Sequence, residues 1–509
     1  MNYVLRVALS ASIGGFLMGF DASVISGTIS YISQEFSLST LQVGWVVASL
    51  ALTSTLAMFL AGPLSNAYGR RRILFGAGVL YLLSALGSAF APTYEWLVAA
   101  RMLGGLGVGA ALIVAPMFIA EIAPPNRRGR LVSLNQLNIV LGISVAFFSN
   151  YLLLGLAGSE AAWVSDWHLE ANVWRWMLGV EALPALLFIA VLFTVPESPR
   201  WLVMQDRRLE AASILHRVDR TEQSDQLLEE IDASLVGDQV RNNLLDLLDP
   251  RLRKVLGIGL ILAILQQITG INAVFFYAPM IFEQSGMGTD AAFLQAVMVG
   301  LVNLAFTVIA ILFIDRLGRR PLLIAGVAGI VVSMTMIAWA FYVASYELTL
   351  EQINRLGLLE LSSLAGQSFD SDVAFKSAVI GQLGEQTWLS HQAALLQTAM
   401  QANTSLILIG ILAFVASFAV SVGPVMWVMF SELFPNWIRG LAISAVGLVN
   451  SAVSFGVQFL FPWQLETFGS AFTFLLFAVY ACIGLLLVVR FVPETRGQTL
   501  EQLEVSLAK

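Results

Sequence analysis

Apolar runs bounded by charges, prolines or polar turns fall near 7–30, 42–65, 73–91, 96–122, 131–154 and 174–195, and again near 254–282, 291–314, 321–345, 404–431, 440–462 and 469–491. A bilayer crossing takes about 20 mainly apolar residues folded as helix, because the hydrocarbon core holds no water to satisfy backbone N–H and C=O groups. The pattern therefore predicts an all-α membrane protein with twelve transmembrane helices in two six-helix bundles, residues 1–196 and 253–509. Between them, 197–252 is a linker in which acids, bases and leucines alternate (Leu227, Leu228, Ile231, Leu235), predicting short amphipathic helices on the cytoplasmic membrane surface. The first run contains Asp21 and lacks a clear small-residue cleavage site, so it is read as the first span and not as a removable signal.

The two halves repeat. Gly69-Arg70-Arg71 recurs as Gly318-Arg319-Arg320 between the second and third span of each half. Glu121 before Arg128-Gly129 recurs as Glu432 before Arg439-Gly440 after the fourth span, and Pro196-Glu197-Ser198 recurs as Pro493-Glu494-Thr495 after the sixth. The offset between the copies grows between the third and fourth spans of the second half, which places an insertion at 346–403. Such repeats, with a site at their interface, are a transporter architecture.

Charge sets the orientation. All but Arg101, Arg175, Arg355 and Lys376 of the 27 Lys and Arg residues fall on one side or in the linker. Short cytoplasmic loops retain Lys and Arg, so both termini are placed in the cytoplasm and the insertion outside. Composition narrows the chemistry: 58% of residues are hydrophobic and 12% charged, and the net charge of -7 gives no cationic field for nucleic acid. His168, His216 and His391 lie far apart and Cys482 is alone, so no metal-ligand set is expected. No nucleophile with a base and no cofactor loop is present, and neither an enzyme nor a cofactor is expected. The glycines at 104, 105, 107 and 109 lie inside an apolar span with no preceding strand, which fits close helix packing, not a nucleotide loop.

Asp21, Arg101 and Glu181 interrupt apolar spans, and a charge there is costly unless it is paired or borders water. At about 1.5 Å per residue all three count to similar depth. A cation beside a carboxylate favours its ionised form and burial its neutral form, so a conformational change can exchange a proton; a permanent ion pair fixing helix packing is the alternative. Neutral amides in apolar spans suit an uncharged polar ligand whose groups both donate and accept hydrogen bonds. Gln266 and Gln267 count to mid-depth, as do Asn303 and Asn450. Asn272 would point elsewhere on an unbroken helix, but Gly270 and Pro279 can break it and let the amides converge. Plain interhelical hydrogen bonding is the alternative for these amides.

At these residues the chain resembles bacterial proton-coupled members of the sugar porter family of the major facilitator superfamily. The match rests on Gly19-Phe20-Asp21, Gly69-Arg70-Arg71, Pro196-Glu197-Ser198-Pro199-Arg200-Trp201, Gln266-Gln267 with Gly270-Ile271-Asn272, Asp315 to Arg320, and Pro493-Glu494-Thr495-Arg496-Gly497. The resemblance implies a proton-coupled monosaccharide symporter of the cell membrane, with Asp21 and Arg101 as coupling pair and Glu181 as a second acid. It implies Gln136, Gln266, Gln267, Asn272, Tyr277, Asn303, Trp427 and Asn450 as sugar-binding residues. It also implies a cytoplasmic gate of Arg70, Arg128, Arg319 and Arg439 against Glu121, Glu197, Glu432 and Glu494. Simple positive-inside anchoring is the alternative for those arginines. Asn66 and Ala67 depart from the family's loop motif, Met18 replaces an aromatic and Asn450 a glutamine. The expected partners are a monosaccharide, a proton and the lipid bilayer, and the expected working unit is a monomer. A passive uniporter of the same fold and a non-transporting sugar sensor are the alternatives. The insertion is expected to be a solvated outer cap.

Overall fold

The computed structural model describes residues 3–124, 127–218, 228–229, 244–435 and 438–496. Helices α1 (Tyr3–Val24), α2 (Ile29–Glu35), α3 (Thr40–Tyr68), α4 (Arg70–Ala89), α5 (Tyr94–Ile122), α6 (Arg128–Ala157), α7 (Ala162–Asp166), α8 (Val173–Gly179) and α9 (Ala182–Leu192) make up the first half. In the linker, α10 (Pro199–Met204) and α11 (Arg208–Val218) are the expected short helices. Trp201, Leu202, Ala211 and Ile214 form a small core there, against which Leu228 packs. Leu227, Ile231 and Leu235 lie outside the described residues. The second half holds α12 (Arg253–Ile268), α13 (Ile271–Phe276), α14 (Ala278–Gln284), α15 (Thr289–Leu317), α16 (Arg319–Tyr342), α17 (Leu350–Leu356), α18 (Asp372–Leu383), α19 (Glu385–Ala399), α20 (Thr404–Val420), α21 (Val422–Leu433) and α22 (Arg439–Phe491).

Among the described residues, 11 helical segments are long and apolar enough to cross a membrane. The last, α22, has 53 residues and a non-helical break at Gly469 (φ 79°, ψ 168°). At 1.5 Å per residue an unbroken helix of that length would be about 80 Å long, more than twice a bilayer core of about 30 Å. The break divides α22 into two crossings, which makes twelve. Leu183 and Leu187 on α9, Leu312 on α15 and Val332 on α16 are exposed, as lipid-facing side chains must be.

Two compact units are resolved: Met1–Val24, Ser49–Ala146 and Arg175–Asn243 form one, and Ile25–Ala48, Phe147–Trp174 and Leu244–Lys509 the other. In the first, α1, α4, α5 and α9 pack around Leu17, Leu74, Phe118 and Phe188. The glycine run of α5 allows this closeness: a Cβ on Gly105 would strike the carbonyl of Leu50, and one on Gly109 that of Ser54. In the second unit the insertion has its own core of Tyr346, Phe375, Trp388 and Leu395.

The fold is helical as expected, and the insertion adds three short strands: β1 (Ser345–Glu347), β2 (Ser368–Phe369) and β3 (Met400–Gln401) form an antiparallel sheet in the order β2-β1-β3. Strands of two or three residues are too short to show an alternating pattern in sequence, and pairing across the insertion is what creates them.

Candidate functional site

In the first unit, α1 and α5 meet where Arg101 Nη1 donates to Asp21 Oδ1 at 2.6 Å. Both side chains are almost fully buried, at 0% and 2% exposure. Their hydrogen bonding is incomplete: among the described residues Asp21 Oδ2 and Arg101 Nε have no partner, and neither have Glu181 Oε1 and the Tyr81 hydroxyl. Glu181, just ahead of α9, lies within electrostatic reach of both Asp21 and Arg101, and Tyr81 within reach of both acids. Gly104 makes room for this group, since a Cβ there would stand 2.8 Å from Asp21 Oδ2 and would strike Ser84 Oγ. The three charges counted to similar depth are thus brought together. Tyr81 and Ser84 border this group and escaped the sequence reading, because a single tyrosine or serine in an apolar span carries no charge signal.

In the second unit the seventh span is broken. Gly270 is left-handed (φ 88°) and separates α12 from α13, with Tyr277 ahead of the last segment and Pro279 in its first turn. A side chain at 270 would press on the Phe477 ring. The break turns the amides toward one another. Gln267 Nε2 donates to Gln266 Oε1 (3.2 Å) and Asn450 Oδ1 (3.1 Å), and Asn450 Nδ2 returns a bond to Gln266 Oε1 (2.9 Å). Asn272 Nδ2 donates to Gln267 Oε1 (2.8 Å) and to Ser454 Oγ (2.7 Å). Gln458 Nε2 donates to the same Ser454 Oγ (2.8 Å), and the Tyr277 hydroxyl to the Gln458 carbonyl (2.8 Å). The result is a continuous band of neutral donors and acceptors.

Ser454 and Gln458 were missed by sequence reading, yet Asn450, Ser454 and Gln458 stand four residues apart and share one helix face. That polar stripe in an apolar span was the available signal. Other expected residues do not join the band. Asn303 on α15 is buried but hydrogen-bonded to none of these groups. Trp427 is 44% exposed and packs edge-on against Phe430. Gln136 is half-buried on α6, in the first unit.

The arginine motifs form two matching clusters. Arg70 Nε and Nη2 donate to both oxygens of Glu121 at 2.9 and 2.8 Å, and Ser198 Oγ donates to Glu121 as well. Glu197 Oε1 accepts the backbone N–H groups of Arg70 (3.0 Å) and Arg71 (3.1 Å), so a carboxylate caps the start of α4. In the second unit Arg319 Nη2 donates to Glu432 (2.9 Å), Thr495 Oγ1 donates to the same acid, and Glu494 accepts the N–H groups of Arg319 and Arg320 at 3.1 Å each. Gly69 (φ 100°) and Gly318 (φ 93°) are required twice over. Their backbone is one that L side chains rarely adopt, and a Cβ would stand 2.5 Å from Glu197 and 2.7 Å from Glu494. Arg439 instead donates to the Phe434 carbonyl at 3.0 Å. The Arg128 side chain lies outside the described residues.

The model of the family described as "Sugar (and other) transporter" matches residues 7–353 and 377–507. The arabinose-proton symporter of Bacillus subtilis is 34% identical over 504 residues, covering 99% of this chain and 95% of that protein. The D-xylose-proton symporter of Escherichia coli is 33% identical over 538 residues, again covering 99% and 95%. Among solved structures, an inward open conformation of the E. coli xylose transporter superposes with a TM-score of 0.76 at 32% identity, covering 99% of this chain and 100% of that one.

Proposed function

The chain belongs to the sugar transporter family of the major facilitator superfamily, a family of transporters and not of enzymes, and from that premise we propose that it is a proton-coupled monosaccharide symporter. The observation that carries this reading is the buried Asp21–Arg101 pair with its unused carboxylate oxygen. A carboxylate in a low-dielectric span cannot stay ionised without a partner or water. When Arg101 holds it, it is paired; when a conformational change withdraws Arg101 or admits water, Asp21 gains or loses a proton. Tyr81 and Glu181 stand within electrostatic reach of the pair, each with an oxygen that has no partner among the described residues.

The amide band supplies the other half of the cycle. Its groups both donate and accept, as sugar hydroxyls do, so a sugar exchanges hydrogen bonds with Gln266, Gln267, Asn272 and Asn450 one for one. The broken seventh span carries three of them and can swing at Gly270 and Tyr277, so that bound sugar stabilises one arrangement of that span. With the arginine motifs on the cytoplasmic side of the cell membrane, the proton gradient drives sugar inward by alternating access between the two bundles. The clusters at Glu121 and Glu432 brace the cytoplasmic ends of the helices that rearrange.

The test is uptake of D-xylose, L-arabinose and D-glucose into proteoliposomes with and without an imposed inward proton gradient. Accumulation above equilibrium that collapses with an uncoupler is expected for at least one sugar. Equilibration without accumulation would leave a passive uniporter, and binding without flux a sensor.

A further inference from the structure

The insertion has a packed core of its own, more than a solvated cap requires, and it borders a cavity of about 410 Å³ within the second unit. The cavity shares no lining residue with the amide band. Its walls come from the chain at 29–43, from α14, from α18 and α19, and from Pro462 to Glu466. Its size falls in the range of small-molecule sites, roughly 300–1,000 Å³.

The charges around this cavity are largely committed to the wall. Glu466 is bound by Lys376 Nζ and Thr40 Oγ1, each at 2.5 Å. Asp372 accepts the N–H and O–H of Ser470 at 2.9 and 2.7 Å, and Glu283 accepts from Ser30 at 3.1 Å. With Glu385, four carboxylates face one lysine, which repels an anionic ligand. The neutral amides of Gln284 and Gln392, half-buried, and of Gln397, exposed, also line the cavity, and among the described residues none has a hydrogen-bond partner. Trp388, Pro462 and Leu465 add apolar surface. Unpartnered amides beside an apolar wall are the complement of a neutral, many-hydroxyl ligand, as argued for the central band.

We propose that this cavity is a second carbohydrate site, built by the insertion, that takes a neutral monosaccharide independently of the central amide band. It gives the insertion a role: holding α18 and α19 so that Gln392 and Gln397 face Ser30 and Gln284. The proposal rests on the reading of the protein as a sugar transporter.

Equilibrium dialysis of radiolabelled D-xylose and D-glucose against the purified full chain in nanodiscs tests it, with Gln267→Ala to impair the central band and Ala393→Trp to fill the cavity. Two sugar equivalents are expected for the wild type, one for each single variant and none for the double. The milder pair Gln392→Leu and Gln397→Leu should weaken the second equivalent by about tenfold each, and serves if the tryptophan variant is not monodisperse. A single equivalent that disappears in Gln267→Ala overturns the second site and leaves the central one. A single equivalent that survives Gln267→Ala and is lost in Ala393→Trp keeps the cavity site and removes the central assignment. Two equivalents unchanged by filling the cavity, or none in the wild type, overturn the proposal, and the latter sinks the sugar reading too.

Discussion

Arg101 holds one oxygen of Asp21 at 2.6 Å, and among the described residues the other oxygen has no hydrogen bond, nor has an oxygen of the neighbouring Glu181 and Tyr81. An ion pair kept only for packing would be expected to satisfy its remaining groups, because breaking or under-satisfying a buried pair costs several kcal/mol. Asp21→Asn keeps the shape and removes the titration. Accumulation above equilibrium should be abolished, while sugar affinity stays within about threefold, under 1 kcal/mol. Parallel uptake and binding assays on the variant check this, and undiminished accumulation would refute the coupling role.

Gly104 packs tightly against the buried pair. Gly104→Ala would place a methyl 2.8 Å from Asp21 Oδ2, and such overpacking costs about 1–3 kcal/mol. Gly76, on the neighbouring α4, has open space around a built Cβ, so Gly76→Ala should be neutral or slightly stabilising through helix propensity. Thermal unfolding in detergent should show a clear drop in Tm for the first and none for the second.

Gln267 bonds to three other amides. Removing its side chain by Gln267→Ala should weaken central sugar binding by roughly 10- to 100-fold, the equivalent of one or two hydrogen bonds left unmade. Titration calorimetry across D-xylose, L-arabinose and D-glucose reads the effect. An unchanged Kd for every sugar that binds would show that the ligand sits elsewhere.

The two halves predict each other. Glu197 caps α4 and Glu494 caps α16 through the same pair of backbone donors. Replacing either by Gln keeps the shape and loses the charge at a helix N-terminus, which should cost about 0.5–2 kcal/mol in each case. Matching losses of Tm in Glu197→Gln and Glu494→Gln are expected; a loss in one alone would break the structural equivalence of the motifs.

Local patterning made the spans, their number and the repeated motifs legible, because a bilayer imposes one length and one polarity on every crossing helix. The three strands of the insertion were not legible, since two or three residues carry no periodicity and exist only through pairing. Glu283 and Gln397 were equally silent, being ordinary polar residues until folding set them around a cavity. The residues at 219–227 and 230–243 include Leu227, Ile231 and Leu235 of the linker, and the expectation of helix there lies outside the described structure.

By itself the sequence determined that this chain crosses a membrane many times, repeats its halves and carries Asp21, Arg101 and Glu181 where lipid should exclude them. Tertiary structure alone decided which partner each charge keeps, that Ser454 and Gln458 extend the amide band, and that the insertion encloses a cavity. The physical reason is reach: hydropathy and helix periodicity act within about 20 residues of chain, whereas Arg101 to Asp21 and Asn450 to Gln266 are hydrogen bonds between groups 80 and 184 residues apart.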